Sequence, residues 1–386
     1  MKSKFLTRPR NLLVLSFFAL LLFMGHRTGF ITILTLFCLL VSVIVPFRRY
    51  TDSLSGLLIA FTICFTFIGI LNGCIDAVST AIAYFIPSVF FYCFGRYVVD
   101  ELDSKSQIFT FLIFVLALYS FELYTSTINA IISTGSLVNT SRLFYFAGDE
   151  GRQLTATLVG LGASLGFIGL PMSILYKEKT LVRCLFLILF ILSTVITIHL
   201  VNRTGLVICV LVVLITLFYY YKSNASQFLL ALIITLILYF ALLKVGVFSE
   251  EVFDAYASRN EVDLATGGGR TERWEYALQQ LFLSPFGWAE NSGKTDFFVH
   301  NMWLDIAKIT GIIPFILLIS CSISSFKVLL KLLHIKRDLV VAVLLALNVC
   351  FFCSCFVEPV YGGLHFFLYV MLWGMQKQCL VRFYRP

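Results

Sequence analysis

Charge is what this chain has least of. Only 13% of its 386 residues are Asp, Glu, Lys or Arg, against 59% apolar residues, and soluble domains carry about 25% and 45 to 50% respectively. A soluble globular class is thereby excluded, and an integral membrane protein remains. Other absences narrow it further. The chain holds no Walker-type Gly-rich loop and no cytoplasmic domain that would handle a nucleotide. It holds no carboxylate cluster spaced to grip Mg²⁺, so no metal or other cofactor is expected. No small-residue cleavage pattern follows the first apolar run, which therefore reads as a span and not as a signal peptide. The 11 cysteines lie in or beside apolar runs and read as small apolar filler. In "CFFCSC" the thiols of Cys350, Cys353 and Cys355 do not converge on one helical face, and no fourth ligand adjoins them. The net charge of +8 calls for no nucleic acid, because loop bias and anionic lipid headgroups account for it.

What the chain has in abundance is apolar runs of about 20 residues, the length that crosses a hydrocarbon core of about 30 Å. Twelve are expected, at 11–25, 29–46, 54–72, 77–99, 107–131, 154–175, 184–201, 204–221, 227–248, 300–326, 339–356 and 360–376. The expected fold is all-α, a polytopic integral membrane protein forming a single membrane domain over 1–386. Nineteen of the 29 basic residues fall in alternate connections. They are Lys2, Lys4, Arg8, Arg10, Arg48, Arg49, Arg96, Lys105, Lys177, Lys179, Arg183, Lys222, Lys327, Lys331, Lys336, Arg337, Lys377, Arg382 and Arg385. Basic short loops stay cytoplasmic, so an even number of spans with both termini inside is the expected topology.

The outer connections are short except two. One runs from about 132 to 153; the other, 249–299 between spans 9 and 10, carries nine acids against four bases. Loops of that length are usually functional or disordered. Within it "RTERWEYALQQLFLS" has Trp274, Ala277, Leu278 and Leu281 at helical spacing and Pro285 as a stop, which predicts an amphipathic helix on the outer surface with Arg270 at its start.

Ionisable groups at the membrane boundary are the informative set, since burying charge in lipid is costly. Arg203, in the very short connection "HLVNRTGLVI", either snorkels as a headgroup anchor or faces a polar cavity. Arg142 and Arg152 share the other outer loop with Asp149 and Glu150, where ion pairs in a solvated loop are the simpler reading. Glu122 and His199 near span ends read equally well as packing. In "VHNMWLDIAKITG", at about 100° per residue, Ala307, Gly311 and Pro314 line up below His300 as a face of small residues, while Asn301, Asp305 and Lys308 cluster to one side. Asp305 and Lys308 form either a structural lock or the floor of a polar pocket. His300 at the water boundary suits both orienting or deprotonating a hydroxyl and plain interfacial anchoring.

His300 and Asn301, then nine residues, then Gly311 in "GIIP", after a long outer loop, resemble the signature of the O-antigen polymerase (Wzy) and O-antigen ligase superfamily of polytopic bacterial glycosyltransferases. "GGRTERWEYAL" is similar to the family's Gly-Arg followed four residues later by Trp. "NRTG" is similar to its Ser-Arg-Gly or Ser-Arg-Thr at a span boundary, with Asn202 in place of Ser and Pro314 where a second small residue is common. The resemblance implies Arg203, Arg270 and His300 as the catalytic positions, with Asn301, Arg273, Trp274, Arg152 and Arg142 as substrate-binding candidates. It further implies an undecaprenyl-pyrophosphate-linked oligosaccharide as donor, membrane lipid around it, and a chain-length regulator and flippase as pathway partners. The expected location is the bacterial inner membrane.

Arginine's planar fork suits pyrophosphate, so Arg203 and Arg270 are expected to stabilise the leaving group and His300 to serve the acceptor hydroxyl. A short, Phe-rich, sparsely charged chain favours the polymerase; the ligase, which delivers the glycan to lipid A core, is the alternative. A flippase or other transporter is the rival class, against which stand the single large polar loop, the few mid-span charges and the lack of repeated halves. A membrane acyltransferase using His300 has no second motif to support it.

Overall fold

The computed structural model describes residues 8–25, 29–74, 78–139, 143–146, 149–222, 226–230, 270–289, 299–335, 337–358 and 362–384, with isolated positions between. The helices are α1 (Pro9–Met24), α2 (Phe30–Ile44), α3 (Ser53–Leu71), α4 (Val78–Glu101), α5 (Lys105–Thr134), α6 (Ala156–Ser164), α7 (Gly169–Leu175), α8 (Thr180–His199), α9 (Arg203–Tyr221), α10 (Arg270–Leu283), α11 (Met302–Thr310), α12 (Ile312–Leu333), α13 (Leu339–Val357) and α14 (Leu364–Phe383). One antiparallel hairpin, β1 (Leu143–Phe146) with β2 (Asp149–Thr155), follows α5.

Six of these helices, α3, α5, α8, α9, α12 and α13, are long and apolar enough to cross a membrane. Five of them coincide with expected spans and α12 overlaps part of a sixth, and the pattern is that of a polytopic membrane protein. The runs at 11–25 and 29–46 are helices of 16 and 15 residues. The run at 154–175 is broken by a 3₁₀ turn at Leu165–Ile168 between α6 and α7. Those at 77–99 and 360–376 form α4 and α14, and 227–248 lies almost entirely outside the described residues. The run at 300–326 is not continuous: Gly311 divides it into α11 and α12.

Large apolar side chains such as Val43, Phe67, Leu181 and Phe218 point outward, which suits a lipid surround. Inside, the Phe94 ring meets Phe18 and Phe37 edge to face at 5.0 and 5.2 Å between centroids, and Phe18 and Phe37 lie tilted at 5.4 Å. The tightest crossing joins α4 to α14. A Cβ at Gly95 would strike the Met371 carbonyl, and one at Gly374 the Tyr92 carbonyl, so only glycine lets the two backbones meet.

The basic connections converge on one end of the bundle. There Arg8 pairs with Glu101 at 2.6 Å, Arg49 with Asp100 at 2.7 Å and Lys105 with Asp338 at 2.7 Å. Arg382 donates to the Val99 carbonyl, and Lys222 to that of Leu333 at 2.9 Å. Buried Arg96 donates to Asp52 at 2.9 Å and to Gln378, while Tyr92 donates to the same Asp52 oxygen at 2.8 Å. Asp338 caps α13 through the Val340 and Val341 N–H groups. Burial pushes its carboxyl up, but the hydrogen bonds from Lys105 and the Val341 N–H and the Lys105 charge help to outweigh that and hold it below the ordinary carboxylate value. A depressed carboxylate adds stability above its unfolded pKa of about 4, and that share is lost as pH falls through the lower folded value. Detergent-solubilised protein should therefore lose thermal stability as pH falls below about 4, and Asp338→Asn should flatten that decline.

Candidate functional site

The opposite end of the bundle carries Arg203, Arg270 and His300, and one carboxylate holds the last two. Glu358 follows α13 in extended conformation, as expected of the residue before a proline. Its Oε1 accepts from Arg270 Nη2 at 3.0 Å and its Oε2 from His300 Nδ1 at 3.1 Å. Glu358 is nearly inaccessible, while 28% of the Arg270 side chain and 29% of the His300 side chain remain open. A buried carboxylate thus holds one cation and one imidazole at a surface that a substrate can reach. Donation from Nδ1 selects the tautomer whose lone pair sits on Nε2, the nitrogen that takes a proton.

Local sequence explains why these groups meet. Asn301 is the N-cap of α11, its Oδ1 accepting from Leu304 N–H at 3.2 Å. Asp305 reaches back to accept from Val299 N–H at 2.9 Å and from Asn301 N–H at 3.1 Å. Its two oxygens therefore lock the entry of their own helix through peptide N–H groups, where the sequence offers a pairing of Asp305 with Lys308. His300 lies before the cap with φ +57°, a left-handed conformation uncommon for a side chain with a Cβ. It is thus not on the helical face expected of it: capping at Asn301 turns the chain, and the small face of Ala307 packs instead on α10 with Ala277 and Leu281.

Helix α10 forms where its amphipathic pattern predicts, with Ala277 and Leu281 buried and Trp274 half-buried. Leu278 departs from the expected apolar face and is exposed. Trp274 Nε1 donates to the Val299 carbonyl at 3.0 Å, and its ring meets Phe356 edge to face at 5.0 Å. Asn301 Nδ2 donates to the Phe356 carbonyl at 3.2 Å. These bonds tie α10, α11 and the end of α13 into one unit. Asn72, the C-cap of α3, adds a fourth element by donating to the Ile309 and Phe286 carbonyls.

Arg203 reaches this end by another route. Tyr219 at the far end of α9 donates to the Ile335 carbonyl at 2.6 Å, and α9 packs along α13. The two helices run antiparallel, so Arg203 and Glu358 occupy the same end, though the bonds around Glu358 do not include Arg203. Asn202 caps α9 by accepting from Gly205 N–H at 3.0 Å, the task a serine performs at such a position. Asn202→Ala should cost about 1 kcal/mol of stability, read as a lower unfolding temperature in detergent. Arg273 sits one turn along α10 from Arg270, half-buried. Arg152 lies in β2 with its side chain beyond the description, and Arg142 lies outside the described residues.

Glu358 was not singled out by sequence reasoning. The signal available was an acid placed between an apolar span and a proline, in "FVEPV". Glu122 is buried in α5, and His199 ends α8 with Nδ1 3.0 Å from the Leu137 carbonyl. No protein-family model matches the chain, and no curated protein matches it either.

Proposed function

We propose that the protein is a membrane glycosyltransferase that extends a surface polysaccharide by moving oligosaccharide from undecaprenyl pyrophosphate to a sugar hydroxyl of another lipid-linked repeat unit. The observation that carries this reading is the joint hold of Glu358 on Arg270 and His300, groups from two separate motifs of the resemblance. In the reaction the acceptor hydroxyl oxygen bonds to the anomeric carbon as the bond to the pyrophosphate oxygen breaks. His300 Nε2 takes the hydroxyl proton, and the departing lipid pyrophosphate keeps the electron pair. Arg270, with Arg203 from the same end, stabilises that gathering charge, and its exposed share of guanidinium faces the substrate side.

The basic end of the bundle is then cytoplasmic and the Glu358 end outward, in the inner membrane of a bacterium. Lys222 lies at the basic end and Arg270 at the other, so the chain must cross between them. Between them the sequence offers the apolar run 227–248, the ninth of the twelve expected spans, and 249–299 as the expected outer loop.

Deleting the gene and running the extracted glycan on a gel tests the reading. A product stopped at one repeat unit on the core supports the polymerase. A bare core with long chains accumulating on the lipid carrier means the ligase, and an unchanged ladder overturns both in favour of a transporter. Arg270→Lys keeps the charge but loses the fork, and should slow chain extension by about tenfold or more at unchanged abundance; normal extension would remove Arg270 from the clamp.

A further inference from the structure

We propose that the groove between α11, α12 and α13 holds the single hydrocarbon chain of a polyprenyl phosphate, with the phosphate at Arg270. The inference rests on the lipid-linked donor just proposed and adds where its tail lies.

The groove encloses about 410 Å³ and runs from Asn301 and Phe356 to Phe326 on α12 and Asn348 on α13. It exists because Gly311 breaks the helix, letting α11 diverge from α12 while α13 passes behind the gap. Three of its polar side chains are bonded within the protein. Trp303 Nε1 donates to Ser322 Oγ at 3.1 Å, Ser322 donates to the Leu318 carbonyl at 2.9 Å, and Asn348 Nδ2 to the Leu344 carbonyl at 2.6 Å. Walls whose hydrogen bonds are already made accept hydrocarbon without leaving a polar group stranded. From Phe315 to Phe326 the wall extends roughly 16 Å at 1.5 Å per residue. The outer rim, with Ile323, Phe326 and Phe352, is exposed to the lipid side, so a chain can enter sideways from the bilayer.

The upper end is continuous with the charged cluster. Asn301 and Phe356 line the groove and belong to the unit that holds Glu358: Asn301 follows His300 in the chain, and the Phe356 ring lies against Trp274, one turn from Arg270. A chain seated in the slot brings its head to the Arg270 guanidinium, a group whose planar fork recognises phosphate. One slot takes one chain, which favours a polyprenyl phosphate over a diacyl phospholipid.

The test uses the purified full chain in detergent with farnesyl phosphate carrying a photoreactive benzophenone on its terminal isoprene. Crosslinks on Phe315–Phe326 or on Phe352 support the groove, whereas crosslinks confined to other helices overturn it. Ile319→Trp, which fills the slot, should weaken undecaprenyl phosphate binding at least tenfold in native mass spectrometry with the unfolding temperature unchanged. Should that variant not fold, the wild-type crosslink map decides. Equal displacement of the probe by dioleoyl phosphatidic acid would assign the groove to bilayer phospholipid and overturn the proposal. These readouts need no glycan transfer: bound polyprenyl phosphate with an unchanged glycan ladder in the deletion strain leaves the groove standing and removes the glycosyltransferase reading alone.

Discussion

On the proposed glycosyltransferase reading, Glu358→Gln is expected to lower glycan transfer about a thousandfold, within the range associated with a positioned proton acceptor, while abundance in the membrane stays near that of the unaltered protein. The substitution keeps size and shape. The glutamine oxygen can still accept from Arg270, but its NH₂ cannot accept from His300 Nδ1–H. The imidazole then turns its hydrogen to the other nitrogen and presents N–H, in place of a lone pair, to the acceptor hydroxyl. Stability suffers less, because more than a quarter of each partner's side chain remains accessible and water replaces part of what the carboxylate supplied. Initial rates with lipid-linked repeat units, normalised to protein detected in membranes, measure the effect. His300→Ala alone and the double variant with Glu358→Gln should differ little, since groups that act through one proton transfer are not additive. A Glu358→Gln enzyme within threefold of normal would reduce Glu358 to a structural tie between α10 and α13.

Gly311→Val is the second large effect, and it falls on folding. Gly311 has φ +78° and ψ −160°, a region open in practice to glycine alone. An added Cβ would also run into the Pro285 carbonyl. That carbonyl accepts from Ile312 N–H at 2.9 Å, so it cannot retreat without releasing the first turn of α12. Backbone strain of about 1–3 kcal/mol adds to the clash, and a marginally stable membrane protein should fail to accumulate. Detergent extracts run by size exclusion with a fluorescent tag should show loss of the monodisperse peak. Ile313→Val, two positions on at an exposed side chain, should leave the peak intact. Normal accumulation of Gly311→Val would mean that α11 and α12 can join as one helix, which would also close the groove between them.

The two variants mark the boundary between what could be read in the chain and what could not. Class was legible because apolar composition over runs of about 20 residues is a summed property, insensitive to any single contact. The spans at 107–131 and 339–356 appear within three residues of their helices for that reason. So were the basic connections, which collect at one end as loop charge bias requires, and α10, whose period of 3.6 survives in its buried Ala277 and Leu281. Capping was not legible: periodicity starts the helix at His300 and leaves Asn301 on its side, and helical extrapolation through His300 and Gly311 fails. One residue precedes the cap and the other is glycine in a conformation that ends a helix, and hydropathy registers neither.

By itself the sequence determined a helical membrane chain, the side on which its basic loops gather, and the presence of Arg203, Arg270 and His300 near the opposite boundary. Only the tertiary structure decided that Glu358, far along the chain from Arg270, lies within hydrogen-bond reach of both Arg270 and His300. It alone decided that the break at Gly311 opens an apolar slot beneath them. The physical reason is that periodicity and composition act along the chain, whereas a shared carboxylate and a groove arise from helices distant in sequence, whose relative placement depends on packing across the whole bundle.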